Sequence, residues 1–457
     1  MKAYARIYIY IVAVWIALIL ALKPWYGVEE DSYTAAHTAY LAYESDTYQL
    51  SRLPGHPIFE YALRYTWSVR DIFWPFLIGI GLFVSAIFTK RVFEKYCDDK
   101  FKGILLAGLF LTPATAIALG ETMEYTLALG TLTMSWYYGD SKRWFLAALL
   151  LAISAGLRLP NLVFGLPLFF MIWLGRDWKQ AVAFAISSFL LTGLFYYPVW
   201  NEYGLAFFDT YDLLYPPLLK VLYKGTVGTW GILGSFGLLI AIAGLNIKNA
   251  IKWLREPSQF PYAIALAFSL GLFLFLPEKS VFLLPFTILL GATVLRFSKK
   301  AFAYIGFGLM LINPLFLGTD LVDDLRGIPE SRADVVVSAG SQQMGIQLFL
   351  PNPQLKAENK VETTLFLASE IGQIQEPTLV ITGWWFPFLQ MHYLENENPK
   401  LPEGVEFVYY ADAETIQKAI SEGKSILFTP EAEVYNEQRY GHDLVSRYGN
   451  PLLKAYP

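Results

Sequence analysis

Long apolar runs, cut by short charged clusters, fill the first 319 positions of the chain. A helix needs about 17–25 apolar residues to cross the hydrocarbon core. On that basis the rhythm predicts eleven spans, at 7–23, 72–89, 103–119, 125–138, 144–157, 159–174, 180–197, 227–246, 260–276, 281–297 and 301–317. Beyond Thr319 the pattern changes. Short apolar stretches at 333–337, 378–382, 405–410 and 425–429 read as buried strands, and 361–373 and 412–422 between them read as helices. Asp412 with Thr415 suits a helix start and Gly423 a helix stop. Alternating strands and helices imply a small α/β domain with a mostly parallel sheet. The expected fold is an α-helical polytopic membrane protein of about eleven transmembrane helices with a C-terminal extracytoplasmic α/β domain. The expected domains are 1–319 and 320–457.

Composition agrees with the pattern. Residues of the AVILMFWYC set make up 55% of the 457, charged residues only 16%, and mean hydropathy is +0.40. An average soluble domain carries about 25% charged residues, so a purely soluble enzyme is disfavoured. The single cysteine, Cys97, excludes an intrachain disulfide framework and a Cys-rich metal site. A net charge of −4 suggests no nucleic-acid partner. The run Ile7–Leu22 lacks a small-residue cleavage site before Glu29-Glu30-Asp31, so it reads as a retained span.

Charge also orients the chain. Of the 25 Lys and Arg in residues 1–319, 17 fall in one set of loops and 8 in the other. The richer set should be cytoplasmic. That puts the N-terminus inside and, with an odd span count, the C-terminal domain outside, in a multi-pass protein of the cell membrane. The opposite loops hold 13 of the module's 19 Asp and Glu, so function is expected on the external side.

Two spans, 125–138 and 144–157, are too short for the bilayer: 14 residues cover roughly 21 Å of a core about 30 Å thick. Their external tips carry Glu121, Glu124 and Arg158. Ionisable groups below the membrane surface face a cavity or a partner. Otherwise the bilayer thins locally and Arg158 snorkels to the headgroups. The first external loop opens with Glu29-Glu30-Asp31, followed by Tyr33, Ala36, Tyr40 and Tyr43 at helical spacing. Asp31 stands where an N-cap belongs. The same carboxylates, raised in pKa by mutual repulsion, could also take a proton from a hydroxyl. Further on, Arg52-Leu53-Pro54-Gly55-His56-Pro57 forces a rigid turn. It either launches the next helix or presents Arg52 and His56 at a cavity rim, with the guanidinium able to fork onto phosphate. In the C-terminal region, His392 and His442 stand alone. Trp384-Trp385-Phe386-Pro387-Phe388 suits core packing better than an acceptor platform.

An acidic cluster after the first span, followed by an Arg-x-Pro-Gly-x-Pro turn, resembles the glycosyltransferase C superfamily of polytopic transferases. Glu121 and Glu124 at the start of span 4 are similar to its second acidic site. The runs Ser154-Ala155-Gly156-Leu157-Arg158-Leu159-Pro160 and Leu276-Pro277-Glu278-Lys279-Ser280 resemble its later hairpin and its proline-containing re-entry loop. The chain departs from the pattern in offering Glu-Glu-Asp rather than a clean acidic pair. The resemblance implies sugar transfer, with inversion, from a polyprenyl-phosphate-linked donor to an acceptor hydroxyl of a lipid, glycan or protein on the external face. It implies Asp31 or Glu30 as the base. Arg158, Arg52 and Lys279 would hold the leaving phosphate, and Glu121, Glu124 and His56 would orient the acceptor or bind a divalent cation. No cofactor is demanded by the residues; carboxylates alone would suit Mg²⁺ or Mn²⁺. Membrane lipids are expected partners. The competing classes are a transporter or flippase, although no repeated halves are visible, and a non-catalytic partner in surface-glycan assembly.

Overall fold

Each of the eleven apolar stretches contains helix in the computed structural model of the chain, but not every one is straight or long. The structure describes residues 2–22, 26–94, 100–175, 177–204, 215–216, 218–277, 279–313, 317–321, 335–339, 342–348, 352–396, 400–429, 432 and 450–451. Among them, five helices are long and apolar enough to cross a membrane, or seven if each of two bent pairs counts as one span. Shorter apolar helices run over Trp144–Leu157, Leu159–Leu174 and Lys300–Ile312. The protein is a polytopic membrane protein with a small sheet-containing C-terminal region.

The two bends have local causes. Between Phe101–Phe110 and Pro113–Gly120 the axis turns by 55°. Pro113 cannot donate to the preceding turn, and Thr112 caps the new helix through a reciprocal box with Thr115. The stretch expected as one span at 227–246 is instead broken at Gly231, where the axis turns by 89°. Gly231 has φ +77°, a value glycine reaches without strain. Asn313 satisfies the freed backbone: Trp230 O accepts from its Nδ2 at 3.2 Å, and Gly234 N donates to its Oδ1 at 3.1 Å. Such replacement bonds are what permit a broken helix at membrane depth.

Helices pack closely through small residues. A Cβ on Gly130 would lie 2.6 Å from Gly81 O, so the Arg70–Glu94 and Tyr125–Asp140 helices touch backbone to backbone. Gly237 and Gly306 bring Ile232–Ala243 and Lys300–Ile312 together in the same way. In lipid, where burial of apolar surface gives no drive, such contact is the main attraction between helices. The end of the bundle carrying most Lys and Arg is stitched by its own cations: Lys102 Nζ donates to Arg296 O at 3.2 Å, and Lys90 lies over the Tyr8 ring.

The chain divides into two compact units. The first comprises residues 1–27 and 38–356, and the second 28–37 and 357–457. The charge boundary near Thr319 falls inside strand Leu317–Leu321, which belongs to the first unit. That strand pairs antiparallel with Gln342–Leu348, which pairs antiparallel with Val335–Ala339. The strand expected at 333–337 therefore lies at the edge of a three-stranded antiparallel sheet, with Gln342–Leu348 central, rather than in the parallel sheet. Only two residues separate it from its neighbour, too few for a parallel crossover.

In the second unit the strands Thr378–Ile381, Val405–Val408 and Ser425–Phe428 form a parallel sheet with the first of these central, and Asn450–Pro451 adds to its edge. From residue 357 onward helix Asn352–Gly372 belongs to the same unit, as do helices Phe386–Glu395 and Ala413–Ser421. Asp412 caps the last through Thr415 N at 2.8 Å, as its position in the chain suggested. Leu379, Ile381, Ile416, Ile426 and Phe428 form its core. Trp385 and Phe388 are buried, as core packing requires. His442 lies outside the described residues.

Candidate active site

One end of the helical bundle gathers six of the candidate residues, and it is the end away from Lys142 and Arg143. The turn before helix Pro57–Tyr65 is shaped by Glu60, which is buried. Its carboxylate accepts from the Tyr48 hydroxyl, from Ser51 N at 2.8 Å and Oγ at 2.6 Å, and from His56 N at 3.1 Å. Gly55, at φ +96°, closes the turn by donating to Arg52 O at 2.7 Å, and the Tyr196 hydroxyl donates to Gly55 O at 2.8 Å. These bonds fix where Arg52 and His56 point.

Arg52 meets Glu124 across 72 positions of sequence. Its Nη2 donates to both carboxylate oxygens, at 2.7 and 2.9 Å, and its Nη1 approaches Met123 Sδ at 3.0 Å. Glu124 is 1% exposed and the Arg52 side chain 18%. Arg52 Nε also donates to His56 Nε2 at 3.0 Å. Since Nε2 accepts, the proton sits on Nδ1, which donates to Leu157 O at 2.7 Å. This is a neutral imidazole. Burial holds His56 below its ordinary value against the opposing pull of Glu124, and Arg52 pushes the same way as burial.

Arg158 follows directly from Leu157, in extended backbone at the end of helix Trp144–Leu157. Its guanidinium lies 4.0 Å from the Phe282 ring centre and 5.1 Å from that of Tyr125, within the electrostatic reach of Glu124. Among the described residues no carboxylate pairs with Arg158 and no acceptor takes a hydrogen bond from its guanidinium. Lys279, also in extended backbone, precedes the turn Ser280–Leu283 that carries Phe282. Glu278 lies outside the described residues. Glu121 is buried where helix Pro113–Gly120 ends, against Gly27: a Cβ there would sit 2.0 Å from Glu121 Oε2. Thr122 N donates to Tyr26 O at 2.8 Å.

Asp31 and Glu30 are placed differently. The helix begins at Glu30 and runs to Ser45, so Glu29 takes the position before the first turn and Asp31 is inside that turn, not at the cap as its spacing suggested. Both residues lie in segment 28–37 and fold with the second unit. There Glu30 Oε2 accepts from the Tyr409 hydroxyl at 3.1 Å, and the Tyr33 ring stacks at 4.1 Å on Phe388.

Glu121, Glu124 and His56 do not suit a metal. Both His56 nitrogens are engaged, Glu124 is held by Arg52, and no group of three or more His, Cys, Asp or Glu side chains that could hold an ion occurs among the described residues. Sequence reading missed Glu60, Tyr48, Tyr125, Phe282 and Tyr409 as contributors. Only Glu60 left a trace, one helical turn beyond His56.

Solved structures share the fold that these elements define. Among solved structures, the crystal structure of ArnT from Cupriavidus metallidurans bound to undecaprenyl phosphate shares it, with a TM-score of 0.54 and 12% identity over 96% of this chain and 95% of that one. The apo crystal structure of the same protein gives a TM-score of 0.55 and 12% identity, over 95% and 94%. No family model matches the chain, and no curated protein matches it by sequence.

Proposed function

We propose that the protein is a membrane glycosyltransferase that moves a sugar from a polyprenyl-phosphate-linked donor to an acceptor hydroxyl. The observation that carries this reading is Arg158: a cation cradled by two aromatic faces, with its N–H donors unused by the described protein residues. A leaving phosphate supplies the charge and acceptors it lacks, and preorganised donors act most strongly where charge develops. The fold shared with a protein crystallised with undecaprenyl phosphate supports the same donor class.

In the proposed reaction a carboxylate of the first loop, Asp31 or Glu30, takes the acceptor hydroxyl proton. The acceptor oxygen attacks the anomeric carbon from the face opposite the phosphate, and the carbon–oxygen bond to phosphate breaks with its electron pair passing to the phosphate oxygen. Configuration inverts, and the polyprenyl phosphate leaves against Arg158, assisted by Lys279. Arg52 orients Glu124, which with Glu121 suits hydrogen bonding to sugar or acceptor hydroxyls. No step runs through a divalent cation. The 17-to-8 bias of Lys and Arg supports an external reaction face, with the N-terminus cytoplasmic and residues 357–457 extracytoplasmic.

The test is transfer by purified protein in liposomes, using a set of polyprenyl-phosphate-linked hexoses and pentoses. Asp31→Asn should lower turnover by about 10²–10⁴-fold, the span of general-base catalysis, while the protein still inserts. Undiminished turnover removes Asp31 from the base role. Flipping of lipid without release of polyprenyl phosphate would favour a transporter instead.

A further inference from the structure

A helix leaves the carbonyls of its last turn without partners along its own axis. At the end of Trp144–Leu157 three successive residues are met from outside the helix instead. Ala155 O lies 3.3 Å from the Tyr196 hydroxyl, which also donates to Gly55 O at 2.8 Å. Gly156 admits Ile58: a Cβ there would lie 2.6 Å from Ile58 Cδ1. Leu157 O accepts from His56 Nδ1 at 2.7 Å, across 101 positions of sequence. The turn at 55–58 is thus seated against 155–157, and all of these residues belong to the first unit.

The next residue is Arg158. Its backbone leaves the helix extended, at φ −155° and ψ +101°. Its amide donates to Ser154 O at 2.8 Å, and its carbonyl accepts from Asn161 N at 2.9 Å. Leu157 O and the Arg158 nitrogen share one planar peptide. The bond from His56 therefore fixes that plane, and with it the point from which the Arg158 side chain sets out. The far side of the imidazole is held as well. Nε2 accepts from Arg52 Nε at 3.0 Å, and Arg52 Nη2 is forked onto Glu124. One buried ring thus touches the side chain of one arginine and the backbone beside the other.

We infer that His56 is a positioning residue: through Leu157 O it sets the Arg158 guanidinium, between Phe282 and Tyr125, for the leaving phosphate. Arg52 supports it from behind, because its donation to Nε2 keeps the proton on Nδ1. A group that meets a ligand is only as precise as the hydrogen bonds and packing behind it. The aromatic faces give Arg158 its surroundings, and the hold on its backbone gives it direction. This rests on the donor-phosphate reading of Arg158 proposed above.

Two variants divide the bonds of the ring, and binding of a polyprenyl phosphate to the full chain in nanodiscs reads them without sugar transfer. His56→Asn keeps a nitrogen donor at the Nδ1 position and gives up the contact with Arg52. His56→Gln keeps an acceptor at the Nε2 position and gives up Leu157 O. His56→Gln should weaken binding about tenfold, the order of one buried hydrogen bond, and His56→Asn by no more than about twofold. A ring that serves only the general fold would give equal losses. That result, or unchanged binding in His56→Gln, overturns the proposal. Arg158→Ala combined with His56→Gln should bind no worse than Arg158→Ala alone, because one acts through the other. Losses that multiply overturn it as well. Hydrogen–deuterium exchange supplies a readout without ligand: His56→Gln should speed exchange across 157–161 by about tenfold, with His56→Asn near wild type. Unaltered exchange there in His56→Gln also overturns it. A wild-type chain that binds no polyprenyl phosphate sinks the function reading alone, since exchange across 157–161 still judges the hold of His56 on the helix end.

Discussion

Arg52 and Arg158 lie at the same end of the bundle, and the protein treats them in opposite ways. Arg52 is spent on the protein: Glu124 takes its Nη2, His56 its Nε, and Glu60 shapes the turn that delivers it. Arg158 rests on Phe282 and Tyr125 and gives its guanidinium donors to no described acceptor. An aromatic face stabilises a cation without consuming its hydrogen bonds. The contrast separates a cation that builds the site from one left for a ligand, although both are arginines in loops of the same side.

The sharpest break of that contrast is Arg158→Ala. Transfer should fall about 10²–10³-fold, as when a single charge-stabilising donor is removed, while the thermal midpoint in detergent barely moves. If the midpoint collapses, Arg158 is structural and the contrast is lost. Arg52→Ala should show the reverse balance, because it leaves Glu124 buried without its cation. Removing one partner of a buried pair costs about 3 kcal/mol or more, which should appear as a clear drop in thermal stability. An unshifted midpoint would mean water replaces the guanidinium freely.

Glu60→Gln sharpens the same distinction one layer out. It keeps the shape but turns one accepting oxygen into a donor, facing either the Ser51 amide and hydroxyl or the Tyr48 hydroxyl and His56 amide. A loss of about 2 kcal/mol is expected, again in stability, with the donor KM following as the turn loosens. The smallest effect concerns pH. The folded protein holds His56 neutral with a depressed pKa, so the unfolded chain binds the extra proton first as pH falls. Its contribution to stability is complete above the unfolded value near 6.5 and is lost progressively below it. Replacing His56 with Gln should flatten this part of the stability profile; an identical profile would show that another group governs it.

Much of the architecture could be read along the chain. Period and length of apolar runs located the helices because each element's signal is local and the bilayer demands it. Strands 378–382, 405–410 and 425–429 were equally visible as short runs rich in β-branched and aromatic residues, although only Thr378–Ile381 is buried throughout. The break at Gly231 was not, because only Asn313, 82 positions away, makes it tolerable. Candidate residues Arg52, His56, Glu121, Glu124 and Arg158 stood out as charges near apolar ends. Their division of labour did not, because it depends on which acceptor each donor meets.

Local pattern thus settled that the chain enters the membrane, where its helices lie and at which end its carboxylates gather, because burial of apolar side chains and the cost of buried charge act residue by residue. Pairing was decided in three dimensions. That Arg52 is engaged by Glu124, that Glu60 governs a turn it follows in sequence, and that Tyr409 reaches Glu30 across 379 positions are facts of geometry. A hydrogen bond is worth something only within about 3 Å, and nothing in the order of residues says which distant groups will come that close.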